Sequence, residues 1–194
     1  MTLRVPEVRE AQATLAREYG IHGFCYYQYW FDGKRLLHRP VDEIMACGKP
    51  EFPFCLCWAN EPWSRRWLGT DEDVLMPQSY SAGDATNHAR SVAPMFADSR
   101  YIKVRDRPVF LIYCPVHIPG LREYLSDFSA EVERQKIPAP YLVAINNHKA
   151  SLDYRGAGFS NEMHFEPAIG ALTGFLGDIA RALGRAPALS LGIQ

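Results

Sequence analysis

FPFCLCWANEPWSRRW, residues 52–67, opens with an unbroken apolar run, Phe54, Cys55, Leu56 and Cys57, which reads as a buried strand. The run empties abruptly into Trp58, Asn60, Glu61, Trp63, Arg65, Arg66 and Trp67. Aromatics, one carboxylate and two guanidiniums at the end of a buried strand have the composition of a binding-site rim. Three of the chain's four tryptophans lie in this stretch, and the fourth, Trp30, follows the strand before it.

The same grammar repeats on either side. Upstream, residues 6–19 carry Val8, Ala11, Leu15 and Tyr19 at helical spacing, with Pro6 suited to the first turn and Gly20 to the stop. Residues 21–27 then read as a strand, and Gly20 and Gly23 near its start point to tight helix–strand packing. After the polar turn Asp32-Gly33-Lys34, residues 36–46 suit a helix interrupted early by Pro40. Downstream, residues 68–81 lack periodicity and read as a long loop. A helix over 85–96 and a turn at Arg105-Asp106-Arg107 precede the continuous apolar strand that ends Val109, Phe110, Leu111, Ile112, Tyr113. A helix over 121–135 and a strand over 141–145 follow, the latter running into Asn146, Asn147 and His148. Asn161, Glu162, His164 and Glu166 form a polar cluster at what would be a fifth strand. Residues 171–183 look helical, and LSLGIQ closes the chain with no evident element.

Strands apolar on both faces that alternate with helices require a parallel sheet covered by helices, the α/β class. Polar residues recur just after the strands, where (β/α)8 barrels and doubly wound sheets both place their sites: Gln28, then Asn60 and Glu61, then His117, then residues 146–148. No GxGxxG or GxxxxGK[ST] loop is present, which disfavours a nucleotide-binding open sheet. Four or five strands are too few for a closed barrel, which typically takes ~250 residues. The expectation is a partial (β/α)8 barrel in which residues 1–194 form one incomplete domain.

The bulk properties exclude other classes. A net charge of −1 among 194 residues supplies no basic field for nucleic acid or an anionic membrane surface. No run approaches the ~20 apolar residues of a transmembrane helix, and the charged N-terminal helix has no signal-peptide core. The cysteines number five, an odd count, and Cys25, Cys55, Cys57 and Cys114 sit in apolar runs; this favours free thiols and a reducing, cytoplasmic setting. No second Cys or His pair with matching spacing follows Cys55-x-Cys57. Neither metal nor cofactor is expected.

Taken together, YYQYWFDGKRLL (residues 26–37), FCLCWANEPWSRRW (54–67) and DSRYIKVRDRPVFLIY (98–113) closely resemble the signatures YYxYWFxGKRLL, FCLCWANExWxRRW and DxRYIKVxxxPxFLIY of the WbsX-like glycosyltransferase family. These are bacterial lipopolysaccharide and polysaccharide biosynthesis proteins whose domain is similar to glycoside hydrolase family 99. The resemblance covers residues 6–143 and implies a (β/α)8 barrel acting on α-linked sugars. It also implies a first strand upstream of this chain and a late Glu-Trp-x-Glu-Gly segment bearing the catalytic carboxylates. No Glu-Trp pair occurs here, which points to truncation at both ends. The family favours His where this chain has Gln28, Asn at Pro62 and Asp at Leu68.

The candidate site residues each have two readings. Glu61 is either a carboxylate for sugar binding or proton transfer, held among tryptophans that exclude water, or an ion-pair partner of Arg65 or Arg66. Trp30, Trp58, Trp63 and Trp67 are either sugar-stacking platforms or core. Tyr27 shares a strand face with Tyr29 and Cys25, Gln28 shares the other with Tyr26, and only one face can turn to the barrel interior. Arg65 and Arg66 suit a fork on a sugar-nucleotide diphosphate or a uronic acid, or a solvated pair. Asn60 suits a sugar hydroxyl or the orientation of Glu61, and His148 ends another strand. Two functions follow: glycosyl transfer or glycoside hydrolysis on a glycan substrate, or an inactive, glycan-binding half-barrel that lacks the late carboxylate motif.

Overall fold

A computed structural model describes residues 5–64, 74–146, 153–164 and 190–193, with only the backbone of 164 and 190–193. Helix α1 (Pro6–Glu18) leads into strand β1 (Ile21–Phe31), and α2 (Arg39–Cys47) leads into β3 (Phe54–Trp58). Helix α3 (Asp84–Ala97) precedes β7 (Arg107–Ile112), and α4 (Leu121–Arg134) precedes β8 (Tyr141–Asn146). Strands β9 (Asn161–His164) and β10 (Ser190–Ile193) complete the main sheet, whose order is β10-β1-β3-β7-β8-β9 with every pair parallel. This is the expected partial (β/α)8 barrel. Among the described residues the sheet stays open between β9 and β10.

Short antiparallel strands decorate this frame. Strand β2 (Lys34–Leu36) folds back on β1 through Asp32 and Gly33, both at positive φ, the two-residue turn whose twist suits a hairpin. Strand β6 (Lys103–Val104) does the same on β7 through Arg105 and Asp106. Strand β4 (Trp63–Ser64) pairs with β5 (Val74–Met76).

Four expectations need correction. Trp30 lies within β1, because the strand runs on to Phe31. Pro40 starts α2, where its missing N–H costs nothing, instead of interrupting it. The stretch read as a loop holds β5 at Val74–Met76. The closing LSLGIQ contains β10, which pairs with the β1 edge that β3 leaves open. The helix expected over 171–183 and the residue Glu166 lie outside the described residues.

Pleating sorts the sheet into two faces. Phe24, Tyr26, Gln28 and Trp30 of β1 share register and face with Phe54, Leu56 and Trp58 of β3 and Phe110 and Ile112 of β7. This face meets the helices: Phe110 stacks on Phe128 of α4 at 5.3 Å, and Trp58 on Tyr124 at 5.5 Å. The opposite face carries Cys25, Cys55, Cys57, Val109, Leu111 and Val143, all buried and mostly small, as the narrow inside of a barrel requires. At Gly23 an added Cβ would lie 2.8 Å from the Pro53 carbonyl and 2.8 Å from Ile102. The tight packing there is strand against strand, not helix against strand.

Candidate functional site

The inner face opens into a cleft at the C-terminal ends of β1, β3 and β7, the end where parallel barrels place their sites. The cleft holds about 400 Å3 and is lined by Tyr27, Tyr29, Glu61, Trp63 and Tyr113, with Ala59, Pro62, Ser64 and Leu75. Its floor is built by continued strand pairing: Ala59 N–H donates to the Gln28 carbonyl at 3.0 Å, and Tyr113 N–H to the Trp58 carbonyl at 2.9 Å. Its aromatic wall is a chain of ring contacts. Tyr27 meets Tyr113 edge-on at 6.3 Å, Tyr29 meets Trp63 at 5.3 Å, and Phe31 backs Trp63 at 5.5 Å.

Asn60 is fully buried beneath this rim. Its Oδ1 accepts the Cys114 N–H at 2.7 Å, and its Nδ2 donates to the Cys114 carbonyl at 2.8 Å and to the Tyr80 hydroxyl at 3.3 Å. This two-point clamp ties the segment after β3 to the segment after β7 and so places Glu61 beside Cys114. The Cys114 thiol donates to Glu61 Oε1 at 3.4 Å. A 3-10 turn at Pro115–His117, closed by the His117 N–H on the Cys114 carbonyl at 3.1 Å, swings His117 over the same spot. The carboxylate of Glu61, the Cys114 sulfur and a His117 ring nitrogen lie within 4.8 Å of one another.

Burial pushes the phenols of Tyr27 and Tyr29 above the usual tyrosine range, and burial followed by the Glu61 charge does the same for Tyr113. All three stay protonated at neutral pH and can donate to ligand oxygens.

Of the residues anticipated as a site, Tyr27, Glu61 and Trp63 line the cleft. Gln28, Trp30 and Trp58 fall on the opposite face, against the helices, because strand parity turns them away. Trp30 donates through Nε1 to Asp84 at 2.7 Å and stacks on His88 at 5.1 Å. Trp58 is 0% exposed and donates to the Trp30 carbonyl at 3.2 Å. Gln28 Oε1 meets His88 Nε2 at 3.1 Å, and His88 Nδ1 meets the Tyr124 hydroxyl, which donates to Asp84 at 3.0 Å. Burial holds His88 well below the usual histidine pKa, so it is neutral at pH 7. Arg65, Arg66, Trp67 and His148 lie outside the described residues. Sequence reasoning passed over Tyr113 and Cys114 as site residues; it noted His117 among the polar strand ends and Tyr29 on the face of Tyr27 without assigning either a role in the site. Parity from Tyr27 was the available signal for Tyr29. The strand-end position was the signal for the others.

A parallel α/β half-barrel with an aromatic, carboxylate-bearing cleft at its strand ends defines the class of this chain. The family described as Glycosyltransferase WbsX matches residues 1–182, and the chain belongs to it. It is 47% identical over 165 residues to the uncharacterized protein WxcX of Xanthomonas campestris pv. campestris, in each of two strains; the match covers 85% of this chain and 24% of the relative. The chain thus spans about a quarter of the length of the curated relatives it matches. A glycoside hydrolase-like protein of known structure superposes over 100% of this chain and 63% of its own, with a TM-score of 0.55 and 12% identity, a likeness of fold. Among the described residues no helix is long and apolar enough to cross a membrane.

Proposed function

We propose that the cleft binds a glycan, as part of a larger enzyme that transfers or hydrolyses α-linked sugars in bacterial lipopolysaccharide or polysaccharide assembly. The observation that carries this reading is the lining itself. Tyr27, Tyr29, Trp63 and Tyr113 surround one carboxylate, Glu61, in about 400 Å3. Ring faces suit the C–H patches of a pyranose, neutral phenols suit its hydroxyls, and a carboxylate suits a hydroxyl or a developing positive charge at the anomeric carbon. Membership of the WbsX family supports a carbohydrate as the substrate. The five free cysteines support a reducing, cytoplasmic location.

Glycoside chemistry needs a second carboxyl group about 5–9 Å from the first. Among the described residues Glu61 is the carboxylate that lines the cleft. A half-barrel that holds glycan without transforming it is the second reading, favoured by this single carboxylate at the cleft.

The test uses the full-length protein with α-mannosides and with sugar nucleotides, following hydrolysis, nucleotide release and tryptophan fluorescence. Trp63→Ala should weaken glycan binding by roughly tenfold, the loss of about 1.4 kcal/mol of stacking and burial. Glu61→Gln should leave binding within a few-fold and abolish turnover if Glu61 takes part in chemistry. Binding without turnover in the parent protein selects the second reading, and undiminished binding by Trp63→Ala rejects the cleft.

A further inference from the structure

We propose that Glu61, Cys114 and His117 form a three-residue site for a divalent transition metal, with Zn2+ the chemically preferred ion, at the rim of the cleft. The donor set is one carboxylate oxygen, one sulfur and one imidazole nitrogen, all within 4.8 Å of one another. A thiolate excludes Mg2+ and Ca2+, which take oxygen ligands. Mixed sulfur, nitrogen and oxygen donors suit Zn2+.

The sulfur–oxygen separation suits that ion. Tetrahedral Zn2+ with ordinary Zn–S and Zn–O bonds separates its sulfur and oxygen ligands by about 3.6 Å. The Cys114 Sγ to Glu61 Oε1 separation is 3.4 Å. On binding, the thiol proton that now lies in that hydrogen bond leaves, and the metal takes its place between sulfur and oxygen.

The site is built before any ion arrives. The Asn60 clamp holds Cys114 at both its N–H and its carbonyl. The 3-10 turn places His117 one turn past Cys114, a Cys-x-x-His spacing that returns two ligand types to one point. Three protein ligands leave a fourth position open, the arrangement of catalytic more than of structural zinc. Glu61 also lines the cleft, which puts the site at the cleft's rim. The expectation from sequence alone was no metal, since it considered only Cys55 and Cys57. The thiol that matters here is 53 positions from Glu61 in the chain and meets it only through β3–β7 pairing.

The inference does not depend on the carbohydrate reading, so it is tested without sugar. The full chain, stripped with chelator, is titrated with Co2+ as an optical stand-in and then with Zn2+. The expected result is one equivalent of Co2+ per chain, with a thiolate-to-cobalt charge-transfer band that Zn2+ abolishes. Cys114→Ser should lose the band. His117→Ala, at an exposed position where the fold is not at stake, should lose saturable binding. Absence of saturable Co2+ binding in the parent chain overturns the proposal, as does a band that survives in either variant. Should Cys114→Ser fail to fold, His117→Ala alone decides. Failure here leaves glycan binding by the cleft standing, and failure of glycan binding leaves the metal titration unaffected.

Discussion

Replacing Asn60 by Ala tests whether the clamp under the rim is what holds the two strand ends together. The side chain is fully buried and makes hydrogen bonds of 2.7 and 2.8 Å to the N–H and carbonyl of Cys114. Removing it strands the Cys114 N–H, at about 1–3 kcal/mol for a buried donor without a partner. The carbonyl keeps the His117 N–H at 3.1 Å, so it loses only one of two donors, at up to about 1 kcal/mol. The total is about 1–4 kcal/mol, a sizeable part of the ~5–15 kcal/mol by which a domain is stable. In urea, with a slope of ~2 kcal/mol/M, the unfolding midpoint should fall by roughly 1 M at unchanged slope. Tryptophan fluorescence follows the transition. Asn60→Asp separates hydrogen bonding from volume. It keeps the acceptor for the Cys114 N–H but turns an oxygen toward the Cys114 carbonyl, and it should cost at least as much as Asn60→Ala. A midpoint for Asn60→Asp equal to that of the parent, or a drop below about 0.3 M for Asn60→Ala, refutes the clamp.

Two further outcomes follow from the packing. His88 is neutral and buried, with its pKa held well below 6.5 by desolvation. In the unfolded chain it protonates near 6.5, so its contribution is fully present above that pH and is lost as pH falls, at up to about 1.4 kcal/mol per unit, until the folded imidazole itself takes a proton. Urea midpoints from pH 7 to pH 5 should fall more steeply for the parent than for His88→Gln; burial raises the pKa of nearby Asp84, which acts in the opposite sense at lower pH, and so the difference between the two proteins is the quantity to read. Gly23→Ala forces a Cβ to 2.8 Å from the Pro53 carbonyl and should destabilise by about 1–3 kcal/mol in the same assay, with no effect expected if the β1 and β3 ends can part freely.

The alternation of apolar strands and helices was legible because strands buried on both faces leave continuous hydrophobic runs, as in Val109–Ile112. The strands that escaped, β2, β4, β5 and β10, have two to four residues each and exist only through pairing with a partner strand. Runs that short carry no period of their own. The site's position at the strand ends was legible for the same reason as the fold, but its membership was not. Four tryptophans near the strand ends suggested platforms. Indoles also have the largest area to bury, and Trp30 and Trp58 bury it against α3 and α4.

What could have separated the two faces is residue size taken along one parity of each strand. Cys25 lies opposite Cys55, and Cys57 lies between Tyr27 and Leu111. The other parity holds Phe24, Tyr26, Phe54 and Phe110, aromatic rings too large to converge on a barrel axis, with Leu56 among them. Small thiols on one parity therefore mark the inside, where opposing strands crowd. Along that inner parity size then rises with distance toward the C-terminal end of the strands: Cys25, then Tyr27, then Tyr29 on β1; Leu111, then Tyr113 at the end of β7. Aromatics are admitted only where the barrel widens to its mouth. On this argument Tyr27, Tyr29 and Tyr113 belong to the cleft because they continue a row of cysteines and aliphatics. Trp58 belongs to the core because it continues a row of phenylalanine and leucine. A strand-end aromatic is then assigned by what precedes it at every second position, a criterion that needs no structure and that places Trp30, which follows Phe24, Tyr26 and Gln28, with the helices.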